Sequence, residues 1–126
     1  MTLQRRPISF LATTKPDSAR GFYGDVLGLN LLEQSPNALV FRDGEIMLRV
    51  QIVQDLPVVS HTVHGWQVDD IEAQIAQLAS RGVVFLSFDH LSQTASGVWT
   101  TPVGHKIAWF KDPDGNILSL IEVLKV

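Results

Sequence analysis

Four histidines, His61, His64, His90 and His105, are the side chains of this sequence best suited to hold a metal ion or move a proton. A divalent ion needs several anionic or strongly donating ligands around one point. His61 and His64 lie three apart in a run that reads as a strand, and an odd separation turns them to opposite faces. A bulge in that strand would turn His64 inward. His90 and His105 fall near strand ends. Acid–base catalysis needs a positioned titratable pair, and no spacing in the chain picks one out. There is no cysteine, so disulfides, thiol catalysis, zinc fingers and iron–sulfur clusters drop out.

The chain of 126 residues suits one domain spanning 1–126, and 45% hydrophobic with 18% charged residues is an ordinary globular balance. A formal net charge of −3, with no basic cluster larger than Gln4-Arg5-Arg6, gives no electrostatic reason to expect nucleic acid. No apolar run reaches membrane-spanning length, and the polar N-terminus lacks a signal-peptide core. The expectation is a soluble, cytoplasmic protein without membrane contact.

The elements that must position these side chains come in two similar sets. Pro7–Thr14 alternates as a strand. Asp17 or Ser18 is placed to cap a helix carrying Ala19, Phe22, Tyr23, Val26 and Leu27, which Gly28 ends. Strand-like runs follow at Leu29–Gln34, Ala38–Arg42 and Glu45–Val53, with a hairpin turn at Arg42-Asp43-Gly44. The order then recurs. His61–Val68 reads as a strand, and Asp69 with Glu72 forms a capping box. Ile71, Ile75, Leu78 and Ala79 make the buried stripe of a helix closed by Gly82. Val83–His90, Gly97–Thr101, Lys106–Lys111 and Asn116–Val123 read as strands, with one of them allowed to be a loop. Each module, about 5–55 and about 60–126, is thus strand, helix and about three strands. Asp112-Pro113-Asp114-Gly115 is a sharp turn, with proline and glycine at positions that suit a type I turn followed by a left-handed residue.

Three stretches together resemble the vicinal oxygen chelate superfamily, the group of glyoxalase I, bleomycin-resistance proteins and extradiol dioxygenases. They are Ala19-Arg20-Gly21-Phe22-Tyr23-Gly24-Asp25-Val26-Leu27-Gly28-Leu29, Gly65-Trp66-Gln67-Val68-Asp69-Asp70-Ile71-Glu72 and Phe110-Lys111-Asp112-Pro113-Asp114-Gly115-Asn116. The resemblance implies an α+β fold: paired βαβββ modules forming a curved mixed sheet of about eight strands, two helices outside, in a homodimer. It also implies four metal ligands, mostly His and Glu. One falls at Ser119, a second at Val63, a third near Ser9 or Phe10, and a fourth within Glu45–Gln51, where Glu45, Arg49 and Gln51 are available. A serine hydroxyl and a valine side chain cannot replace a carboxylate and an imidazole.

The expected function is therefore that of a glyoxalase/bleomycin-resistance-like protein binding a small organic molecule without the usual metal site and without a cofactor. Its expected ligand-binding residues are Arg49 as anion partner, Gln67 and Ser119 on the ligand-bearing face, and Trp99 and Trp109 for stacking on a planar molecule. His64 and Trp66 are expected to face the helices. The alternative is a divalent-metal-dependent lyase, isomerase or dioxygenase with a rearranged ligand set drawn from His64, Glu45 and Glu122. A purely structural or partner-binding domain is a third reading, for which the sequence offers nothing positive.

Overall fold

The structure is a computed structural model that describes residues 4–125. Its contacts divide at Pro57/Val58 into two compact units. The first contains β1 (Ile8–Thr13), α1 (Pro16–Arg20) continuing as a π-helical turn (Gly21–Val26), β2 (Asn30–Gln34), β3 (Ala38–Asp43) and β4 (Ile46–Ile52). The second contains β5 (Thr62–Gln67), α2 (Ile71–Ser80), β6 (Trp99–Thr100), β7 (Lys106–Lys111) and β8 (Ile117–Glu122). Each unit is one four-stranded mixed sheet, ordered β1-β4-β3-β2 and β5-β8-β7-β6. In both, the first strand pairs parallel with the last and the remaining pairs are antiparallel. The eight strands and two helical segments make the paired βαβββ fold. Among the described residues no helix is long and apolar enough to cross a membrane.

One face of each sheet holds that unit's core. In the first unit Tyr23, 0% exposed, lies 5.9 Å from Phe41 between ring centroids, among buried Leu11, Leu39, Leu48 and Val50. In the second, Ile71, Ile75 and Leu78 of α2 are buried, as are Ala108, Phe110, Leu118 and Leu120 of the sheet. Each fully buried side chain of this size contributes about 1.5–3 kcal/mol. Ala79, expected in the helix stripe, is exposed. It is one residue past the last turn that meets the sheet.

Local signals shift by a residue in several places. α1 starts at Pro16, whose missing N–H costs nothing in a first turn. Asp17 and Ser18 thus lie inside the helix and do not cap it. Instead, Thr13 Oγ1 accepts from Lys15 N at 3.0 Å. α2 is capped by Asp70, which accepts from Ala73 N at 3.1 Å, and not by Asp69; Glu72 accepts from the Ser96 hydroxyl. The hairpin register runs to Asp43↔Ile46, so Gly44 and Glu45 form the turn, with Gly44 at φ 60°. That positive φ is what a two-residue hairpin asks of its first central position.

Val83–His90 is the one strand-like run that forms no strand. It is irregular, and β6 is only two residues long. One side chain braces the segment: Gln93 accepts from Phe88 N at 2.7 Å and donates to the carbonyls of Leu86 and Gly97 at 3.0 and 2.9 Å. Leu86 N also donates to Trp109 O at 2.8 Å, tying the segment to β7.

The turn before β8 is held from inside. Gly115 N donates to Asp112 O at 3.0 Å and Gly115 has φ 88°, completing a type I turn with a left-handed exit. Asp112, 6% exposed, accepts through Oδ1 from Asp114 N and Asn116 N, and through Oδ2 from Asn116 Nδ2 at 2.7 Å. Asp112→Ala leaves two amides and a carboxamide without that acceptor. It should cost about 3 kcal/mol in urea denaturation, with Asp112→Asn intermediate.

Candidate functional site

In the second unit α2 covers one face of the sheet and leaves the other free of helix. Strand register assigns side chains to each. Gly65, Ser119 and Trp109 form one row across β5, β8 and β7; Gln67, Ile121, Ile107 and Trp99 form the next, reaching β6. Leu118, Leu120, Ala108 and Phe110 alternate with these and are buried on the α2 side, so both rows lie on the helix-free face. Trp99 and Trp109 stack there, with centroids 6.2 Å apart and planes 29° from parallel. Four of the five residues named from sequence therefore share this face: Gln67, Trp99, Trp109 and Ser119. The fifth, Arg49, is half-buried on the helix-free face of the first unit, paired with Phe10 on β1 and Val40 on β3.

Ser119 has a close neighbour. A Cβ placed on Gly65 would stand 2.6 Å from Ser119 Oγ and 2.7 Å from Ser119 O. Glycine is thus required opposite Ser119, and the serine hydroxyl uses the space it leaves.

The edge of Trp109 opens a second feature. A cavity of about 200 Å³ is walled by Phe88 and Trp109, with Leu91 and Ile117 as apolar lining. His61, His90, Ser60 and Thr62 supply its polar groups. Phe88 meets Trp109 edge to face at 5.4 Å. Sequence reasoning missed Phe88 and Leu91 as site residues, and placed His90 only near a strand end, because the alternation in Val83–His90 mimics a strand. The informative signal was Gln93, a long amide within a polar run that would need partners if the segment curled back on itself.

A model of the Glyoxalase/Bleomycin resistance protein/Dioxygenase superfamily matches residues 7–120. The chain belongs to this superfamily. Solved structures agree on the fold. A bleomycin-binding protein complexed with bleomycin superposes with a TM-score of 0.73 at 22% identity, covering 96% of this chain and 100% of that one. TnmS3, an antibiotic-binding protein from Streptomyces sp. CB03234, gives 0.70 at 23%, with 98% and 99% covered. Lactoylglutathione lyase from Agrobacterium tumefaciens gives 0.68 at 20%, with 96% and 95% covered. No curated protein sequence matches the chain.

The superfamily's metal can be tested against the donors present. Position 119 offers a hydroxyl. Val63 sits in a β5 bulge, where the register shifts from Thr62↔Ile117 to His64↔Leu118. In the first unit Phe10, not Ser9, shares the helix-free face with Arg49 and Gln51. None of these strand positions carries a carboxylate or an imidazole, and a hydroxyl, two hydrocarbon groups, a guanidinium and an amide do not fit a divalent ion. Among the described residues, no three His, Asp or Glu side chains are grouped to hold a metal.

The fallback ligands have other surroundings. The bulge does not turn His64 inward. It pairs with Leu118 on the α2 side and meets the Trp66 ring edge-on at 4.8 Å. Glu122 accepts from Ile71 N at 2.9 Å, capping α2 in trans, and pairs with Lys106 at 3.8 Å. Glu122 lies four residue steps along β8 from Leu118, the partner of His64, or about 13 Å along the strand, too far for one ion. Glu45 lies in the β3–β4 turn. His105 Nδ1 accepts from Leu124 N at 2.9 Å.

Gly65→Ala should destabilise the second unit by about 1–3 kcal/mol, measured by urea denaturation. Adding Ser119→Ala should recover only part of the loss, because the backbone oxygen contact remains; full recovery would assign the conflict to the hydroxyl alone.

Proposed function

We propose that this protein binds a small planar organic molecule on the helix-free face of its second sheet, without the superfamily's usual metal ion and without a cofactor. The observation that carries this reading is the stacked Trp99–Trp109 pair on the same face as Ser119, where a metal-binding relative would present a carboxylate. Two indoles give a wide, rigid, polarisable surface at low entropic cost, and Trp N–H groups add donors. Ile107 and Ile121 extend the apolar surface, while Gln67 and Ser119 supply orienting hydrogen bonds. Arg49, the anion partner expected from the sequence, lies on the helix-free face of the first unit. The fold shared with a bleomycin-binding protein and an antibiotic-binding protein supports the same class of ligand.

The same reading makes the working species a homodimer. On the helix-free face of the first unit Phe10 is 54% exposed, beside partly exposed Ile8 and Met47, apolar surface that association would remove from water.

Bleomycin titration followed by tryptophan fluorescence tests the ligand class. Saturable quenching is expected, weakened about tenfold by Trp99→Ala or Trp109→Ala. Trp66, on the α2 side, serves as the unresponsive reference. Absence of any saturable change would overturn the assignment. Mass-spectrometric metal analysis of untagged protein titrated with nickel, zinc, manganese and iron(II) should give well below one ion per chain; near-stoichiometric binding would overturn the metal-free reading. Light scattering on the eluting protein should return the dimer mass.

A further inference from the structure

The cavity beside Trp109 has a composition of its own. Its walls are two aromatic rings and its lining two aliphatic side chains. Its polar groups are two imidazoles and two hydroxyls, and no carboxylate lines it. At about 200 Å³ it is smaller than the roughly 300–1,000 Å³ of pockets for drug-sized molecules. It is slightly larger than an apolar cavity of about 150 Å³ that holds benzene. One aromatic ring with one small substituent matches that size.

The polar groups define the substituent. Neutral imidazole can donate one hydrogen bond, imidazolium two, and serine and threonine hydroxyls rotate to donate. Four donor-capable groups without a lining carboxylate favour an acceptor-rich, anionic substituent, because hydrogen bonds to a charged acceptor are the stronger ones. Lys111 adds positive charge nearby. It pairs with Ile117 across β7 and β8, so its side chain emerges on the same face as that lining residue. Asp89, between the lining residues Phe88 and His90, is exposed and is the opposing charge.

We infer that this cavity binds an aromatic carboxylate, either as a small free acid or as the acidic ring of a larger ligand lying on the tryptophan pair. The ring lies against Phe88 and Trp109, which meet edge to face at 5.4 Å and form adjoining walls, and the carboxylate meets His61 and His90. Trp109 would then serve both features, one side against Trp99 and the other lining the ring pocket. This inference rests on the reading of Trp109's face as a ligand surface.

Calorimetric titration of the full chain at neutral pH with benzoate, and with benzamide as its uncharged isostere, tests it. Benzoate should bind saturably and about tenfold more tightly than benzamide. His61→Ala and His90→Ala, both at exposed positions, should each weaken benzoate about fivefold while changing benzamide less than twofold. Equal binding of the two probes, no benzoate binding, or histidine variants that bind benzoate like the parent would overturn the acid pocket. A parallel bleomycin titration separates the two readings. Bleomycin bound without benzoate removes the acid pocket and leaves the tryptophan face standing. Histidine-dependent benzoate binding without bleomycin supports the pocket and removes the antibiotic-type reading.

Discussion

The parallel pairing of first and last strands, β1 with β4 and β5 with β8, is the constraint from which the rest of each unit follows. Parallel neighbours cannot be joined by a hairpin. The intervening chain instead crosses the sheet as a helix to the far edge, β2 or β6, then returns strand by strand. A crossing of that length covers one face and leaves the other without helix. The covered face takes the large apolar residues, Phe110, Leu118 and Leu120 in the second unit. The uncovered face is where function has room, and the parallel pair forms one edge of it.

In the second unit's parallel pair Gly65 faces Ser119, and the contact sets what chemistry this part of the face can do. With a hydroxyl packed over the glycine, this strand pair presents a weak neutral ligand to any cation but an adequate donor and acceptor to an organic molecule. The nearby imidazole and carboxylate have structural work on the other side. His64 packs against Trp66, and Glu122 satisfies the first amide of α2 while meeting Lys106. A carboxylate that satisfies an orphan helix amide is held by that bond and by the dipole behind it. Recruiting it to a metal would forfeit both.

Much of this was legible from residue order. Period-two alternation and two helix-ending glycines marked the duplicated modules, and the register then placed Gln67 and Ser119 on one face as strand parity implied, with the stacking candidates Trp99 and Trp109 beside them. What sequence could not give were features decided by a tertiary contact. Asp70 displaces Asp69 as the cap, a choice between adjacent aspartates that depends on where α2 meets β8. The β5 bulge absorbs Val63 without turning His64 inward, because Leu118 fixes its partner. The segment after α2 has a strand's alternation, yet the Gln93 side chain and a single bond to β7 hold it in place of a strand ladder. The histidine cavity was hidden for the same reason, since it exists only once that segment curls beside Trp109.

That curled segment bears on how a site without a metal can be selective. A metal centre orients its substrate through short, directional bonds; an aromatic surface must do so by shape, and shape needs rigidity. Here rigidity comes from hydrogen bonds remote from the face. Gln93 fixes Phe88 and Gly97 from one side chain, and the Leu86 amide fastens the segment to the backbone of Trp109 itself. Phe88 then holds the Trp109 ring edge-on, so the indole that stacks with Trp99 is positioned before any ligand arrives. Gln93 also forms an antiparallel bridge with Trp99, so loosening it would be felt at both tryptophans, which makes this residue part of the specificity of the face.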